Sequence, residues 1–279
     1  MSTPLLSNGD AFLRAWHARY PGATAGVFTR MREANGRCSY DRLVDLASAQ
    51  GPDAVVLDLA CGDGYLLAAI AGTPGSPWEL IGLDMSPDEL GAARVRLGER
   101  ATLHLGHATT LPLSDASVDV VTCHMALMLM GEVEAVLAEL ARVLRPGGVF
   151  GAVVGGRTRN PTFDAFLGPL DAISAGEAAP PLELGDPRTR REAGLRALLA
   201  GDSWEQPLEI EDFTVSFTGP PAAAWPLLAR MYNPDRLSEA GQAALESRTL
   251  LAWQNLQDTD GHVTLAMGLR WITARRIGP

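Results

Sequence analysis

The order of apolar and polar positions changes character twice along this 279-residue chain. Up to residue 52 the apolar residues recur at helical spacing. Phe12, Leu13 and Trp16 fall on one face of a helix expected to start at Asp10, whose short carboxylate can accept from the free amides of a first turn. That helix should close before Pro21, because the residue preceding proline avoids the α region. Two more helical stretches are expected over 25–34 and 39–46, with Gly51 and Pro52 as punctuation.

From residue 54 short apolar runs alternate with longer amphipathic segments. The run from Val55 to Ala60 is almost continuously apolar, as a strand covered on both faces requires, and 79–84, 102–106, 118–124 and 149–154 repeat it. Between them, Ser86, Pro87 and Glu89 offer an N-cap, a proline at the first helical position and the acid of a capping box. Val133, Val136, Leu137, Leu140, Val143 and Leu144 stack at a period of 3.6 before the turn residues Arg145-Pro146-Gly147-Gly148. Strands alternating with helices imply right-handed crossovers and a parallel sheet, so 53–155 reads as a doubly wound α/β core.

Beyond Gly155-Gly156 the pattern loosens. Helical pieces are expected near 162–174 and 188–199, and a strand over 208–217 whose alternation slips near Asp212, which predicts a bulge. Helices over 222–232 and 238–256 lead to an Asp260-Gly261 turn and a last strand over 263–274. The expected organisation is a helical cap (1–52), the α/β core (53–155), a helical lid insertion (156–207) and C-terminal strands and helices (208–279) that complete a seven-stranded sheet.

Composition removes several function classes. With 47% hydrophobic and 20% charged residues the chain is not of the disordered type. A net charge of −10 argues against a nucleic-acid partner gripped by its phosphates. All 23 basic residues are arginine, which leaves no lysine for a Schiff base or a Walker loop. Cys38, Cys61 and Cys123 lack C-x-x-C spacing and suggest neither a disulfide framework nor a zinc site, and no metal is expected. Residues 1–10 show neither a basic leader nor an apolar signal core. The longest apolar stretch, 120–131, falls short of the ~20 residues that span a bilayer. A cytoplasmic protein with a small-molecule partner, and neither membrane nor nucleic acid, is the expectation.

The chemistry is concentrated in Leu57-Asp58-Leu59-Ala60-Cys61-Gly62-Asp63-Gly64-Tyr65, where a buried strand meets a glycine-rich turn and a helix begins. Gly62 and Gly64 allow a sharp bend and direct main-chain contact with a ligand. A dinucleotide fingerprint needs a third glycine at position 67, where Leu67 stands. The second strand ends in Asp84, placed to accept from both hydroxyls of a ribose, a requirement shared by NAD and S-adenosylmethionine.

With Gly106-His107-Ala108, Pro112, Asp119 and Leu144-Arg145-Pro146-Gly147-Gly148 added in this order, the segment 55–154 resembles the class I S-adenosylmethionine-dependent methyltransferases, in particular their small-molecule branch. The resemblance implies a Rossmann-like seven-stranded sheet and S-adenosylmethionine as cofactor. It places main-chain atoms of Ala60, Cys61 and Gly62, with Gly64, around the methionine part, and Asp58 at that turn and the cofactor's ammonium. Asp84 then takes the ribose, Met85 packs on the adenine, and His107 and Ala108 flank its edge, His107 standing where the family commonly has Asp. Tyr40 and His124 are expected to reach the cofactor as well.

Transfer of a sulfonium methyl asks for an in-line nucleophile in a dry site, and for a base only where the acceptor carries a proton that leaves early. His124 is the candidate base of the core, the alternative being a structural histidine that only lines the cleft. His17 and Tyr20, in the cluster from Trp16 to Thr24, are candidates for base or orienting group. Trp16, Met128, Arg157, Trp225 and Tyr232 are the further residues expected at the acceptor, with packing as the alternative for Trp16 and Trp225 and a solvated loop as the alternative for Arg157. The expected reaction is methylation of O, N or C of a small molecule, with a specialised metabolite favoured by the extent of the additions. Open alternatives are an RNA or protein methyltransferase and a cofactor-binding protein that catalyses rearrangement or only binds. A nicotinamide oxidoreductase is disfavoured by Leu67 and by the lack of a Tyr-x-x-x-Lys pair.

Overall fold

Successive side chains of a strand point to opposite faces, so apolar runs without polar members need two cores, one on each side of a sheet. The computed structural model, which describes residues 7–74, 78–157, 160–177 and 182–278, supplies both. Strands β1 (Val55–Leu59), β2 (Glu79–Asp84), β3 (Thr102–Leu105), β4 (Val118–His124), β5 (Leu144–Gly155), β6 (Glu209–Gly219) and β7 (Val263–Arg275) form one sheet. Their order is β3-β2-β1-β4-β5-β7-β6, with β7 antiparallel to both neighbours. Residues 1–6 of the expected cap and residues 158–159 and 178–181 of the expected insertion lie outside the described residues.

The helices are α1 (Asn8–Arg19), α2 (Ala23–Phe28), α3 (Ser39–Ser48), α4 (Tyr65–Ala71), α5 (Pro87–Leu97), α6 (Val133–Val143), α7 (Pro161–Gly176), α8 (Glu192–Leu198), α9 (Pro221–Ala224), α10 (Pro226–Ala229), α11 (Tyr232–Asp235) and α12 (Glu239–Gln254). On one face of the sheet, Val56, Val120 and Val153 pack with Leu43, Leu67, Leu90, Phe166 and Trp253 from the helices. On the other, Leu57, Val121, Phe150 and Val154 pack with Val136, Leu140, Leu195 and Trp204. Each buried Val, Leu or Phe contributes roughly 1.5–3 kcal/mol, so the two layers fix the register of the strands and the height of their ends.

Several local expectations change for identifiable reasons. The first helix is capped by Ser7, whose Oγ accepts from the Asp10 amide at 3.0 Å, and Asp10 is the reciprocal acid of that capping box. The helix expected over 25–34 ends at Phe28, because Arg32 exchanges backbone hydrogen bonds of 2.8 and 2.7 Å with Ser216 of β6. Leu144 already pairs with Val118, so the Arg145–Gly148 turn residues lie within β5. The segment 188–199 divides into a 3-10 turn (Pro187–Arg190) and α8. The helix expected over 222–232 is three short ones; a proline has no amide to donate, and Pro226 restarts the chain as α10. No bulge occurs at Asp212. The β6–β7 register runs unbroken from Glu209↔Thr273 to Gly219↔Val263, and Asp212 faces Arg270, whose Nε donates to it at 2.6 Å. A cross-strand ion pair therefore accounts for the slip in alternation.

Candidate active site

The sheet order reverses between β1 and β4, which leaves a crevice above the carboxyl ends of these strands. The chain leaves β1 through Ala60 at φ +57°, a left-handed conformation that forces an abrupt turn. The turn is pinned to the end of β2: the Cys61 amide donates to the Leu83 carbonyl at 3.0 Å and the Gly62 amide to Asp84 Oδ2 at 2.9 Å. Gly64 serves another purpose than expected. At φ +74°, a Cβ there would stand 2.8 Å from Leu97 Cδ1 and 3.1 Å from Ala93 Cβ, so the glycine lets α4 close on α5 and lies outside the cavity lining.

Asp84 Oδ1 accepts from the Ser86 amide at 2.8 Å and so takes the task that the capping box assigned to Glu89. The Glu89 amide still donates to Ser86 Oγ at 3.3 Å. Its carboxylate turns away to α1 and the following loop, 2.6 Å from His17 Nδ1 and accepting from the Gly22 amide at 3.0 Å. Gly22, at φ +73°, sits where a Cβ would come within 2.8 Å of Asp63 Oδ2. The loop between α1 and α2 thus lies directly on the crevice.

Three adjoining cavities follow. One is lined by Asp58, Ala60, Cys61, Gly62, Asp63, Tyr40, Tyr65 and His124. The second shares Ala60, Asp84 and His17 with it and adds Met85, His107 and Ala108. The third is a chamber of about 820 Å³ that meets the first at Gly22, Thr24, Met125, Leu129 and Tyr232. Trp16, Tyr20, Met128 and Tyr232 line the chamber. Arg157 is exposed and outside all three cavities, and Trp225 packs edge-on against Phe166 at 6.3 Å instead of walling the chamber, so neither stands at the expected place.

Four carboxylates border the first cavity, and two of them have a basic partner: Asp63 pairs with Arg96, and Glu89 with His17. Among the described residues Asp58 has only the hydroxyl of Thr122, which donates to its Oδ1 at 2.9 Å. Burial, reinforced by the neighbouring carboxylates Asp84 and Asp63, pushes Asp58 up to about 8. Burial also raises Asp84, against the opposing effect of its two amide donors. Dehydrated carboxylates with spare lone pairs fit a ligand that brings its own donors, such as an ammonium and a sugar diol.

His124 is buried and stacked on Tyr40, with ring centroids 3.7 Å apart, and Phe28 meets it edge-on. Its Nε2 lies 2.8 Å from Ser39 Oγ, while Nδ1 is buried with no partner among the described residues. Burial drives its pKa down to about 3, so the ring stays neutral and is a weak base at ordinary pH; the expected role as general base does not fit these surroundings. Tyr20 is also a poor base, since its hydroxyl donates to Asp235 Oδ1 at 3.0 Å and that bond raises its pKa.

His17 differs from both. The Glu89 carboxylate beside Nδ1 can only accept, so a neutral ring carries its proton on Nδ1 and offers Nε2 as an acceptor, 3.4 Å from the hydroxyl of Tyr232. Burial raises Tyr232, which remains a phenol and a donor. His107 holds Thr109 Oγ1 at 2.8 Å through Nδ1, and its Nε2 lies 3.7 Å from Asp10 Oδ2.

The sequence reading missed Glu89, Asp63, Gly22, Thr24 and Tyr65 as cavity residues. A buried acid directly after the Asp84 strand end, surplus to the capping box once Asp84 serves Ser86, is the signal that marks Glu89.

Six parallel strands and one antiparallel strand inserted next to last define an α/β protein of the class I methyltransferase fold. A family described as a methyltransferase domain matches residues 57–152. An uncharacterised methyltransferase of Synechocystis sp. is 31% identical over 170 residues, covering 58% of this chain and 78% of the relative. The demethylmenaquinone methyltransferase of Lactococcus lactis is 36% identical over 115 residues, covering 40% of this chain and 44% of that relative. Among solved structures, the (4+2) cyclase SpnF superposes with a TM-score of 0.60 at 21% identity, each chain covered in full, a likeness of fold. The chain belongs to the class I S-adenosylmethionine-dependent methyltransferases and is an enzyme of that family. Among the described residues no helix is long and apolar enough to cross a membrane, and no cluster of three His, Cys, Asp or Glu side chains is placed to hold a metal ion.

Proposed function

We propose that this methyltransferase uses S-adenosylmethionine to methylate O, N or C of a small molecule held in the apolar chamber. The observation that supports this reading is the junction of the chamber with the carboxylate-lined cavity at Gly22, Thr24, Met125 and Tyr232. When bound, the cofactor supplies an electrophilic sulfonium methyl. Asp58 accepts from the ammonium, main-chain atoms of Ala60, Cys61 and Gly62 border the amino-acid part, and Asp84 accepts from the ribose hydroxyls. Met85, His107 and Ala108 border the adenine end, and Tyr40 with His124 closes the other wall. His17 takes a proton from the acceptor through Nε2, with Glu89 holding the ring in that tautomer. Trp16, Tyr20, Met128 and Tyr232 wall the acceptor site and exclude water. In this reading residues 1–52 act as the cap over both ligands.

Parallel calorimetry with S-adenosylmethionine and NAD tests the cofactor assignment; binding of NAD in place of the sulfonium would overturn it. Incubating cell extract with methyl-labelled cofactor tests the acceptor class. Label is expected in the low-molecular-weight fraction, and label confined to precipitated protein or RNA would sink the small-molecule reading.

A further inference from the structure

The chamber's charge is lopsided. Apart from Arg30, Arg190 and Arg230 its lining, among the described residues, holds no carboxylate or basic side chain, although the chain as a whole carries 33 acidic against 23 basic residues. The rest of the lining is mainly apolar, with Phe163, Phe166, Leu167, Leu170 and Leu227 as its large members. All three arginines are exposed, so they stand on the chamber's solvent side.

Their guanidiniums have no carboxylate within ion-pair distance among the described residues, whereas Arg19, Arg42, Arg142, Arg188 and Arg270 each hold one. Arg30 donates to the Ala223 carbonyl at 3.2 Å and lies over the Phe217 ring; Arg190 donates to the Leu184 carbonyl at 2.9 Å. Arg230 lies over the Tyr20 ring, 5.6 Å from its centroid. Carbonyl and ring contacts steady these groups without neutralising them, and each keeps N–H donors in the fork geometry that suits a carboxylate or phosphate.

We infer that the chamber takes an amphiphilic acceptor: an apolar body lies against Phe163, Phe166 and Leu227, and a carboxylate or phosphate group is held at the Arg30, Arg190 and Arg230 rim. The junction at Thr24 and Met125 is left for the reacting atom. This inference rests on the proposed function, since it assigns the acceptor of the same site.

Calorimetry on the full chain saturated with S-adenosylhomocysteine tests it, with decanoate, decyl phosphate, decanol and decyltrimethylammonium as probes below their micelle concentrations. Decanoate or decyl phosphate should bind about tenfold or more tighter than decanol, as a charged hydrogen bond predicts, and the cationic probe should bind weakest. The tighter of the two anions identifies the headgroup. In the triple variant Arg30→Gln, Arg190→Gln, Arg230→Gln the anion preference should vanish while decanol and S-adenosylhomocysteine affinities hold. Val27→Trp, which fills a wall of the chamber, should weaken all four probes. Equal binding of decanol and the anions, or a preference that survives the triple variant, overturns the inference. Failure of S-adenosylhomocysteine to bind the wild-type chain would instead overturn the cofactor assignment.

Discussion

In the proposed site Asp58 makes cofactor binding a proton-coupled event. With its pKa at about 8, roughly nine-tenths of Asp58 carboxyls are protonated at pH 7 in the free protein. An ammonium beside it favours the carboxylate, so binding expels that proton. The cofactor's own amine, with an ordinary α-amino pKa near ~7.8, takes up only about 0.1 proton at pH 7. Net release is therefore ~0.8 proton per cofactor bound at pH 7. Isothermal titration with S-adenosylhomocysteine in phosphate, HEPES and Tris separates this quantity, because the observed heat varies linearly with buffer ionisation enthalpy and the slope is the proton count. In Asp58→Asn the release should fall to about zero or reverse slightly, leaving the amine's own uptake. A wild-type release below ~0.3 proton, or the same release in the Asn variant, would refute the assignment of Asp58 to the ammonium.

Further outcomes follow from the same geometry. Asp84→Ala should weaken S-adenosylhomocysteine binding by about 1–3 kcal/mol, the scale of hydrogen bonds lost from a buried ligand, and an unchanged dissociation constant in calorimetry would count against the ribose role. His17→Ala should remove the acidic limb of the single-turnover pH–rate profile, and Glu89→Gln should lower the rate with little change in cofactor affinity, whereas His124 substitutions should leave that limb in place. Gly64→Ala should cost about 2–4 kcal/mol in urea unfolding, from a left-handed backbone and the clash with Leu97, while the folded fraction keeps its cofactor affinity; an affinity loss without a stability loss would return Gly64 to the site. The free protein should gain about 1 kcal/mol of stability from pH 8 to 6.5, because folded Asp58 titrates near 8 and unfolded Asp near its ordinary value, so the folded state binds the extra proton, partly offset as His124 begins to charge in the unfolded chain. Below pH 6.5 the gain should level off, since His124, at about 3 when folded, is protonated only in the unfolded chain; a flat or reversed slope above pH 6.5 would contradict the Asp58 shift.

The parts of the fold that were legible are those whose cause is local. β1, β2, β4 and β5 are covered on both faces, and that condition writes an unbroken apolar run into the sequence. The Ala60–Gly62 turn and Asp84 were legible for a related reason: main-chain approach and a strand-end acid depend on a few adjacent residues. Helix lengths between 221 and 235 were not, because a helical period survives in the side chains even where Pro226 interrupts the backbone. The bulge at Asp212 failed because its cause lies across the ladder, in Arg270.

Chemical roles were harder to read than positions, since protonation is set by residues distant along the chain. His124 was placed at the crevice correctly, but its neutrality comes from Phe28, Ser39 and Tyr40 closing over it. Arg157 follows β5 in sequence yet misses the chamber, whereas Arg30, Arg190 and Arg230 reach it from three separate segments.

The two ligand spaces are opposite in sign, and this has a consequence for order. Carboxylates ring the cavity at β1 and β2, while guanidiniums stand at the rim of the chamber that opens beside it. A cationic ligand is repelled at the arginine rim, and an anionic one meets no unpaired basic group among the described residues lining the cavity at β1 and β2. Cavity shape alone, between two spaces that share Gly22, Thr24 and Tyr232, gives no such sorting. In the proposed reading this difference in charge directs the methyl donor to one end of the crevice and the acceptor to the other.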